Sequence, residues 1–171
     1  REVGFDNINM DLIMGLPEED LEDVRHTMEV LKELDPDNIT IHSLAIKRAA
    51  RLNIFKDRYE SMQMVNTQEH MDLCASICKE MGLSPYYLYR QKNIAGNFEN
   101  VGYAKPGKVC MYNIDMMEET TSIMAHGAGA MTKRIFDGEC RVERIPNPKD
   151  VNTYIAKVHT VDGEKRELYS K

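Results

Sequence analysis

An aspartate stands within an apolar stretch near the start of the sequence. Ile8, Met10, Leu12 and Met14 alternate with Asn9, Asp11 and Ile13, which indicates a strand with one apolar and one mixed face. A buried carboxylate is costly unless it is paired, so Asp11 needs a hydrogen-bond partner or a ligand. Two interpretations stay open: a structural aspartate that its neighbours satisfy, and a ligand-binding one.

Aromatic, cationic and amide side chains are concentrated between residues 86 and 105. Tyrosines cluster at positions 86, 87 and 89, and they are followed by the cations Arg90, Lys92 and Lys105. Aromatic faces next to cations suit a flat ligand that carries carboxylates. An amphipathic edge strand with a polar connecting loop explains the same residues equally well.

Cysteines, histidines and glycines suggest further sites, each with a plain structural alternative. Cys74 and Cys78 share a helical face, but Met81 takes the third position of a C-x3-C-x2-C cluster motif, so we predict two buried thiols and no metal. His42 and His126 have no partner at metal-site spacing and are interpreted as structural. Residues 127–130 (GAGA) could approach a nucleotide, although the P-loop lysine and a third fingerprint glycine are missing.

Regular elements must position these residues. The strand at residues 7–14, a helix through Leu21 to Leu34 and a second strand at 39–44 predict a βαβ unit with parallel strands. A long helix is predicted over 59–81, a strand over 86–90 and a loop over 93–107, while 47–58 fit no pattern. A hairpin around a two-residue turn at Asp137-Gly138 and a short helix over 147–157 precede a solvated, charged tail.

Composition limits the function classes. The 171 residues carry a net charge of -6 with scattered basic residues, which argues against nucleic acid as a partner. We see no leader peptide and no apolar stretch long enough to span a membrane. Four cysteines in such a chain indicate reduced thiols, so a cytoplasmic location is expected.

Four ordered motifs resemble one family. Residues 9–17 (NMDLIMGLP) resemble the N-x-D-L-I-x-G-L-P segment of oxygen-independent coproporphyrinogen III oxidases, and the other three are DPDN at 35–38, YLYRQKN at 87–93 with NVGY at 100–103, and GAGA at 127–130. The tyrosine-rich segment is similar to the HemZ-type coproporphyrinogen dehydrogenase branch. The resemblance covers about residues 4 to 135, and several motifs in order are more specific than any single one.

The resemblance implies an α/β fold: the C-terminal part of a partial (β/α) TIM-like radical S-adenosylmethionine (SAM) barrel, followed by a β-hairpin and a short helix. Residues 1–130 would supply the last strands and helices of the barrel, and 131–171 the hairpin, short helix and tail. The implied cofactors are SAM and a [4Fe-4S] cluster whose ligands would lie upstream of Arg1. We therefore expect the fragment by itself to be inactive.

The resemblance also implies a reaction and site residues. The reaction is oxidative decarboxylation of coproporphyrinogen III to protoporphyrinogen IX in haem biosynthesis, started by a 5'-deoxyadenosyl radical and supported by an external electron donor. By resemblance, the SAM contacts are Asp11, Ile13, Ala45 and Met131. From charge complementarity, the candidates for binding substrate propionates are Arg90, Lys92 and Lys105.

Two alternative functions remain open at this point. Members of the same superfamily serve as haem-binding chaperones, which transfer haem without SAM-dependent decarboxylation. A small α/β module that binds a nucleotide through residues 127–130 is the second alternative.

Overall fold

The protein was analysed as a computed structural model that describes residues 1–45, 64–90, 98–136, 138–139 and 141–170. The chain forms two compact units, Arg1–Met111 and Tyr112–Lys171. The sequence placed the division after residue 130 instead. The segment before 131 belongs with the hairpin because the backbones of Ile123 and Lys133 exchange hydrogen bonds of 2.7 and 2.9 Å.

The first unit is built on a four-stranded sheet. Its elements in chain order are β1 (Asn9–Met14), α1 (Leu21–Leu34), β2 (Asn38–Ser43), α2 (Gln68–Glu80), β3 (Ser84–Tyr89) and β4 (Asn100–Ala104). The strand order is β1-β2-β4-β3, with β1 and β2 parallel and β4 antiparallel to both its neighbours. These described strands form an open sheet, not a closed barrel. A loop was predicted over 93–107, and this prediction is wrong for Asn100–Ala104, which form β4.

The predicted βαβ unit is confirmed. Helix α1 begins with a reciprocal cap, in which the Asp20 carboxylate accepts from the Asp23 N–H at 3.2 Å and the Asp23 carboxylate accepts from the Asp20 N–H at 3.0 Å. Asp35 follows the last helical residue and ends the helix by adopting a left-handed φ of 47°. The apolar face of α1 packs against the sheet.

The core lies on one face of the sheet. Leu12 and Met14 are buried there, whereas Asp11 and Ile13 are exposed on the opposite face, as the alternation predicted. The helical and strand side chains that complete this core are Val24, Met28, Leu31, Ile39, Ile41, Cys74, Ile77, Cys78, Leu83 and Tyr103. The sheet therefore keeps a second face that no described helix of this unit is seen to bury.

Helix α2 is shorter than predicted. Residues 64–67 are not helical, so the predicted start at 59 was wrong for this stretch, and 59–63 lie outside the described residues, as do 47–58. The Thr67 N–H donates to Nδ1 of His70 at 3.3 Å, which satisfies one amide at the start of the helix. Gly82, with φ 73°, follows the helix end as predicted.

Asp37 ties the start of β2 to the segment before β1. Its carboxylate accepts from the Ile8 N–H at 3.0 Å and from the Arg1 guanidinium at 2.9 Å. Burial alone would raise the pKa of Asp37, but these two donors outweigh it and lower the pKa below its usual value.

The second unit contains α3 (Met111–Glu118, all but its first residue), β5 (Met131–Ile135), β6 (Val142–Pro146) and α4 (Val151–Ser170). The antiparallel hairpin is confirmed, but its turn is longer than two residues, since Ile135 pairs with Val142 and the Phe136 N–H donates to the Arg141 carbonyl at 3.2 Å.

The predicted short helix and solvated tail were wrong. Helix α4 is 20 residues long, and its last three turns bury Val161, Lys165 and Leu168. These residues stand at i, i+4 and i+7, a core-facing spacing that the surrounding charges concealed. The Lys165 ammonium is satisfied within this unit, where it donates to the Ala125 carbonyl at 2.6 Å.

Candidate functional site

A cavity of about 370 Å³ opens on the uncovered face of the sheet, toward the carboxyl ends of β1 and β2. Its lining residues are Asp11, Ile13, His42, Ser43, Leu44, Ala45 and Tyr89. Parallel strands present their carboxyl ends at the same edge, which is the usual place for a ligand in an open α/β sheet. The βαβ closure thus brings residues from two distant parts of the sequence into one site.

Asp11 is solvated in this cavity. Its side chain is 60% exposed, so the burial that its apolar sequence context suggested was wrong, because its apolar neighbours point to the other face; the hydrogen-bond partner that the sequence called for is present. Asn9 Nδ2 donates to Oδ1 of Asp11 at 2.7 Å, and His42 Nε2 lies 3.7 Å from Oδ2. The carboxylate is held from both sides and remains accessible to a ligand.

Tyr89 of β3 forms one wall of the cavity, and Tyr87 lies beside it outside the lining. The ring of Tyr89 is parallel to that of Tyr87, with centroids 6.2 Å apart and an interplanar angle of 4°. The Tyr89 hydroxyl lies 3.0 Å from Nδ1 of His42, and the Tyr87 hydroxyl donates to Oγ1 of Thr40 at 3.4 Å. Burial raises the pKa of Tyr87 to about 12, so this hydroxyl stays protonated at physiological pH.

Two buried asparagine side chains hold Ser43, which lines the cavity at the end of β2. Asn100 accepts from the Ser43 N–H at 2.7 Å through its Oδ1, and Asn66 Nδ2 donates to the Ser43 hydroxyl at 3.0 Å. The Leu44 N–H donates to the Met14 carbonyl at 2.9 Å. These bonds hold the backbone where the chain passes from Ser43 into the cavity wall.

Three of the four predicted SAM contacts meet at this cavity. Asp11, Ile13 and Ala45 all line it, and Ile13 is 45% exposed, which leaves an apolar surface for a ligand. Met131 belongs to the second unit, where it opens β5 and is 46% exposed. The assignment of these four residues to SAM stays a prediction.

The predicted substrate cations have acidic partners. Arg90 lies 3.3 Å from Glu99, and Lys105 lies 2.6 Å from Asp35. Lys92 is outside the described residues. Both described pairs are partly exposed, so exchange of the internal acid for a substrate carboxylate would be inexpensive. Their role in substrate binding also stays a prediction.

Cys74 and Cys78 are buried thiols, as predicted. Burial raises the pKa of each to about 12, with a smaller contribution from Cys74 at Cys78. Both side chains pack within the apolar core, so neither is placed to reach a cluster. Among the described residues, no three His, Cys, Asp or Glu side chains converge to hold a metal ion.

The glycine-rich loop uses its amides internally. The Gly127 N–H donates to the Tyr154 hydroxyl at 3.2 Å, and the Gly129 N–H donates to the Pro148 carbonyl at 2.8 Å. The Ala130 N–H donates to the Gly127 carbonyl at 3.4 Å. Phosphate-binding loops need free amides directed at the ligand, so this arrangement does not favour a nucleotide.

His42 is the site residue that sequence reasoning missed. We interpreted it as a structural histidine, yet it lines the cavity between Asp11 and Tyr89. A signal was present: Ile39 and Ile41 are the natural core residues of β2, which sends Thr40 and His42 to the other face.

Comparison with solved structures identifies the fold of the chain. No family model matches the chain. In a solved structure titled "Coproporphyrinogen III oxidase (HemN) from Escherichia coli is a Radical SAM enzyme", the matching part has a TM-score of 0.60 and 18% identity, and covers 93% of this chain and 35% of that one. At this identity the match shows the fold alone: the chain has the α/β fold of about a third of that protein.

Sequence relatives are more specific. The chain is 41% identical over 165 residues to the oxygen-independent coproporphyrinogen-III oxidase-like protein HemZ of Bacillus subtilis, a match that covers 96% of the chain and 33% of HemZ. It is also 36% identical over 47 residues to the heme chaperone HemW of the same organism, covering 28% of the chain and 12% of HemW. The chain is homologous to HemZ over nearly its whole length, and it spans about a third of the length of HemZ. The resemblance seen in the motifs is thereby confirmed.

No helix in the described ranges is both long and apolar enough to cross a membrane.

Proposed function

We propose that the chain is part of a radical SAM oxidoreductase that oxidatively decarboxylates coproporphyrinogen III in haem biosynthesis, and that its first unit holds SAM. The observation that carries the proposal is the convergence of Asp11, Ile13 and Ala45 on one cavity at the ends of two parallel strands. Homology to HemZ over nearly the whole chain supports the reaction type.

The cavity fits the proposed cofactor. About 370 Å³ is within the usual range for small-molecule sites. The Asp11 carboxylate can accept from the ammonium or hydroxyl groups of SAM, and Ile13 offers an apolar contact to its adenine. Met131 is proposed as a SAM contact on the family resemblance alone. SAM bound here would supply the oxidant that removes a hydrogen atom from the substrate, while these residues bind and orient it.

The described residues do not fit the [4Fe-4S] cluster, because no three of their His, Cys, Asp or Glu side chains converge and the two thiols on α2 are buried in the core. The cluster ligands of the whole protein are therefore proposed to lie outside these 171 residues, and an external donor would supply its electron. Arg90, Lys92 and Lys105 are proposed to bind substrate propionates. The thiols of Cys74 and Cys78 form no disulfide, which supports a reducing compartment such as the cytoplasm.

Anaerobic reconstitution of the whole protein tests this function. We expect SAM to bind, and coproporphyrinogen III to lose the carboxyl groups of two propionates in its presence. Asp11→Asn should weaken SAM binding at least 10-fold, as expected for loss of a charged hydrogen-bond acceptor. Glu33→Gln, on the exposed face of α1, is the matched control and should bind like wild type. Equal affinities for both variants would contradict the SAM site.

A haem chaperone is the second candidate, favoured by the 47-residue match to HemW. Transfer of haem from the whole protein to an apo-haemoprotein, with SAM present but porphyrinogen unchanged, would support this function over the oxidase.

A further inference from the structure

His42 lies between two groups of opposite hydrogen-bonding character. Nδ1 is 3.0 Å from the Tyr89 hydroxyl, and Nε2 is 3.7 Å from the Asp11 carboxylate. These three residues come from β2, β3 and β1, so the ring connects strands that are not adjacent in the sheet. The distance to Asp11 is longer than a hydrogen bond and short enough for a strong electrostatic contact.

Glycine at position 102 allows tyrosines of β3 to reach β2. Strand β4 separates these two strands, and Gly102 lies opposite Thr40 on one side and Tyr87 on the other. A Cβ at this position would lie 1.9 Å from the Tyr87 ring. With no side chain there, the Tyr87 ring lies over β4 and its hydroxyl reaches Thr40, while Tyr89 stacks alongside and reaches His42.

The Asp11 carboxylate favours one arrangement of protons on His42, and the Tyr89 hydroxyl is placed to bond Nδ1 in that arrangement. If neutral His42 carried its proton on Nδ1, the lone pair of Nε2 would face the Asp11 carboxylate and repel it. If Tyr89 donates to Nδ1, Nε2 carries the proton and faces Asp11 favourably. A protonated ring also places N–H at Nε2 and donates from Nδ1 to the tyrosine oxygen. Both favourable arrangements direct an N–H at Asp11.

We propose that His42 and Tyr89 are positioning residues for the contact between Asp11 and SAM: the Tyr89 hydroxyl holds the His42 ring through Nδ1, and the Nε2–H of His42 orients Asp11 toward hydroxyl or ammonium donors of SAM. Asn9 holds the other oxygen of Asp11 at 2.7 Å. The carboxylate is thus fixed from two sides, with its outward lone pairs left for the ligand. The inference rests on the proposed function, since it assumes that SAM binds at Asp11.

A pair of tyrosine variants tests the inference. Tyr89→Phe keeps the stacked ring and removes only the hydroxyl that faces His42. Tyr87→Phe, two residues earlier on the same strand, removes a hydroxyl that bonds Thr40 instead and serves as the matched control. In calorimetric titrations of the anaerobic whole protein with SAM, we expect Tyr89→Phe to weaken binding about 5-fold and Tyr87→Phe less than 2-fold.

Variants of His42 separate positioning from packing. His42→Gln keeps an N–H donor and His42→Phe keeps only a ring, so Gln should bind SAM more tightly than Phe, while thermal unfolding midpoints of the two stay alike. Equal SAM affinity of Tyr89→Phe and Tyr87→Phe, or of His42→Phe and wild type, would overturn the proposal while the SAM site stands. No SAM binding by wild type, or none lost in Asp11→Asn, would overturn the proposed function and this inference together.

Discussion

Replacing Gly102 with alanine should displace the Tyr87 ring, which stacks on the cavity residue Tyr89. An alanine Cβ would lie 1.9, 2.4 and 3.0 Å from three atoms of the Tyr87 ring, and real contacts of this kind are not tolerated. Gly102 has an ordinary strand backbone within β4, so the backbone can accept alanine and the strain falls on the ring. Tyr87 must rotate away from Gly102, losing its stack on Tyr89 and its bond to Thr40.

The expected destabilisation is about 2 kcal/mol. The aromatic pair contributes roughly 0.5–1.5 kcal/mol, and a hydrogen bond as long as 3.4 Å contributes toward the lower end of about 0.5–1.5 kcal/mol. Overpacking of a fitted site costs about 1–3 kcal/mol, which agrees with the sum. In the background of Tyr87→Ala the clash is absent, so Gly102→Ala should then be nearly neutral.

Urea unfolding of wild type, both single variants and the double variant measures this coupling. Far-UV circular dichroism reports the helices, and the emission of all eight tyrosines reports tertiary structure without interference from tryptophan, which the sequence lacks. We expect a coupling free energy of about 2 kcal/mol between positions 87 and 102. An equal cost of Gly102→Ala in both backgrounds would show that Tyr87 does not occupy the space over Gly102 and would refute the reasoning.

Further predictions concern the core, the start of β2 and the last helix. With a pKa of about 12, buried Cys74 and Cys78 should resist iodoacetamide in the native state while half-exposed Cys110 reacts, as mass spectrometry of peptides would show. Because the folded pKa of Asp37 is lowered, its stabilisation is complete above the unfolded value near 3.8 and is lost as the pH falls through the folded value; the gap in urea midpoint between wild type and Asp37→Asn should therefore narrow in acid. Leu168→Ala should cost about 2–5 kcal/mol of unfolding free energy, whereas a solvated tail would lose almost nothing.

Local sequence patterns predicted much of the fold of the first unit. The alternation around Asp11 and the stripe of α1 predicted the parallel βαβ unit and the exposed face that lines the cavity. Strand β4 escaped prediction because Gly102 and a short run of mixed residues resemble a loop, and the strand is defined by pairing with β2 and β3, distant in sequence. The part of helix α4 beyond Lys157 was not predicted, because Lys165 is buried against a carbonyl that no sequence pattern reveals.

The site was only partly predictable for the same reason. Asp11, Ile13 and Ala45 followed from family resemblance, and parity along β1 supported the first two. His42 became a candidate only when β3 placed Tyr89 next to it, a contact that depends on the order of strands across the sheet. The acidic partners of Arg90 and Lys105 likewise come from contacts that no sequence pattern reveals.

The central claim is that SAM binds at the carboxyl ends of β1 and β2. The most direct test is an anaerobic crystal structure of the whole protein with SAM bound. The account predicts electron density for SAM within contact distance of Asp11, Ile13 and Ala45. Density for SAM elsewhere, with this cavity filled by side chains of the same protein, would contradict it.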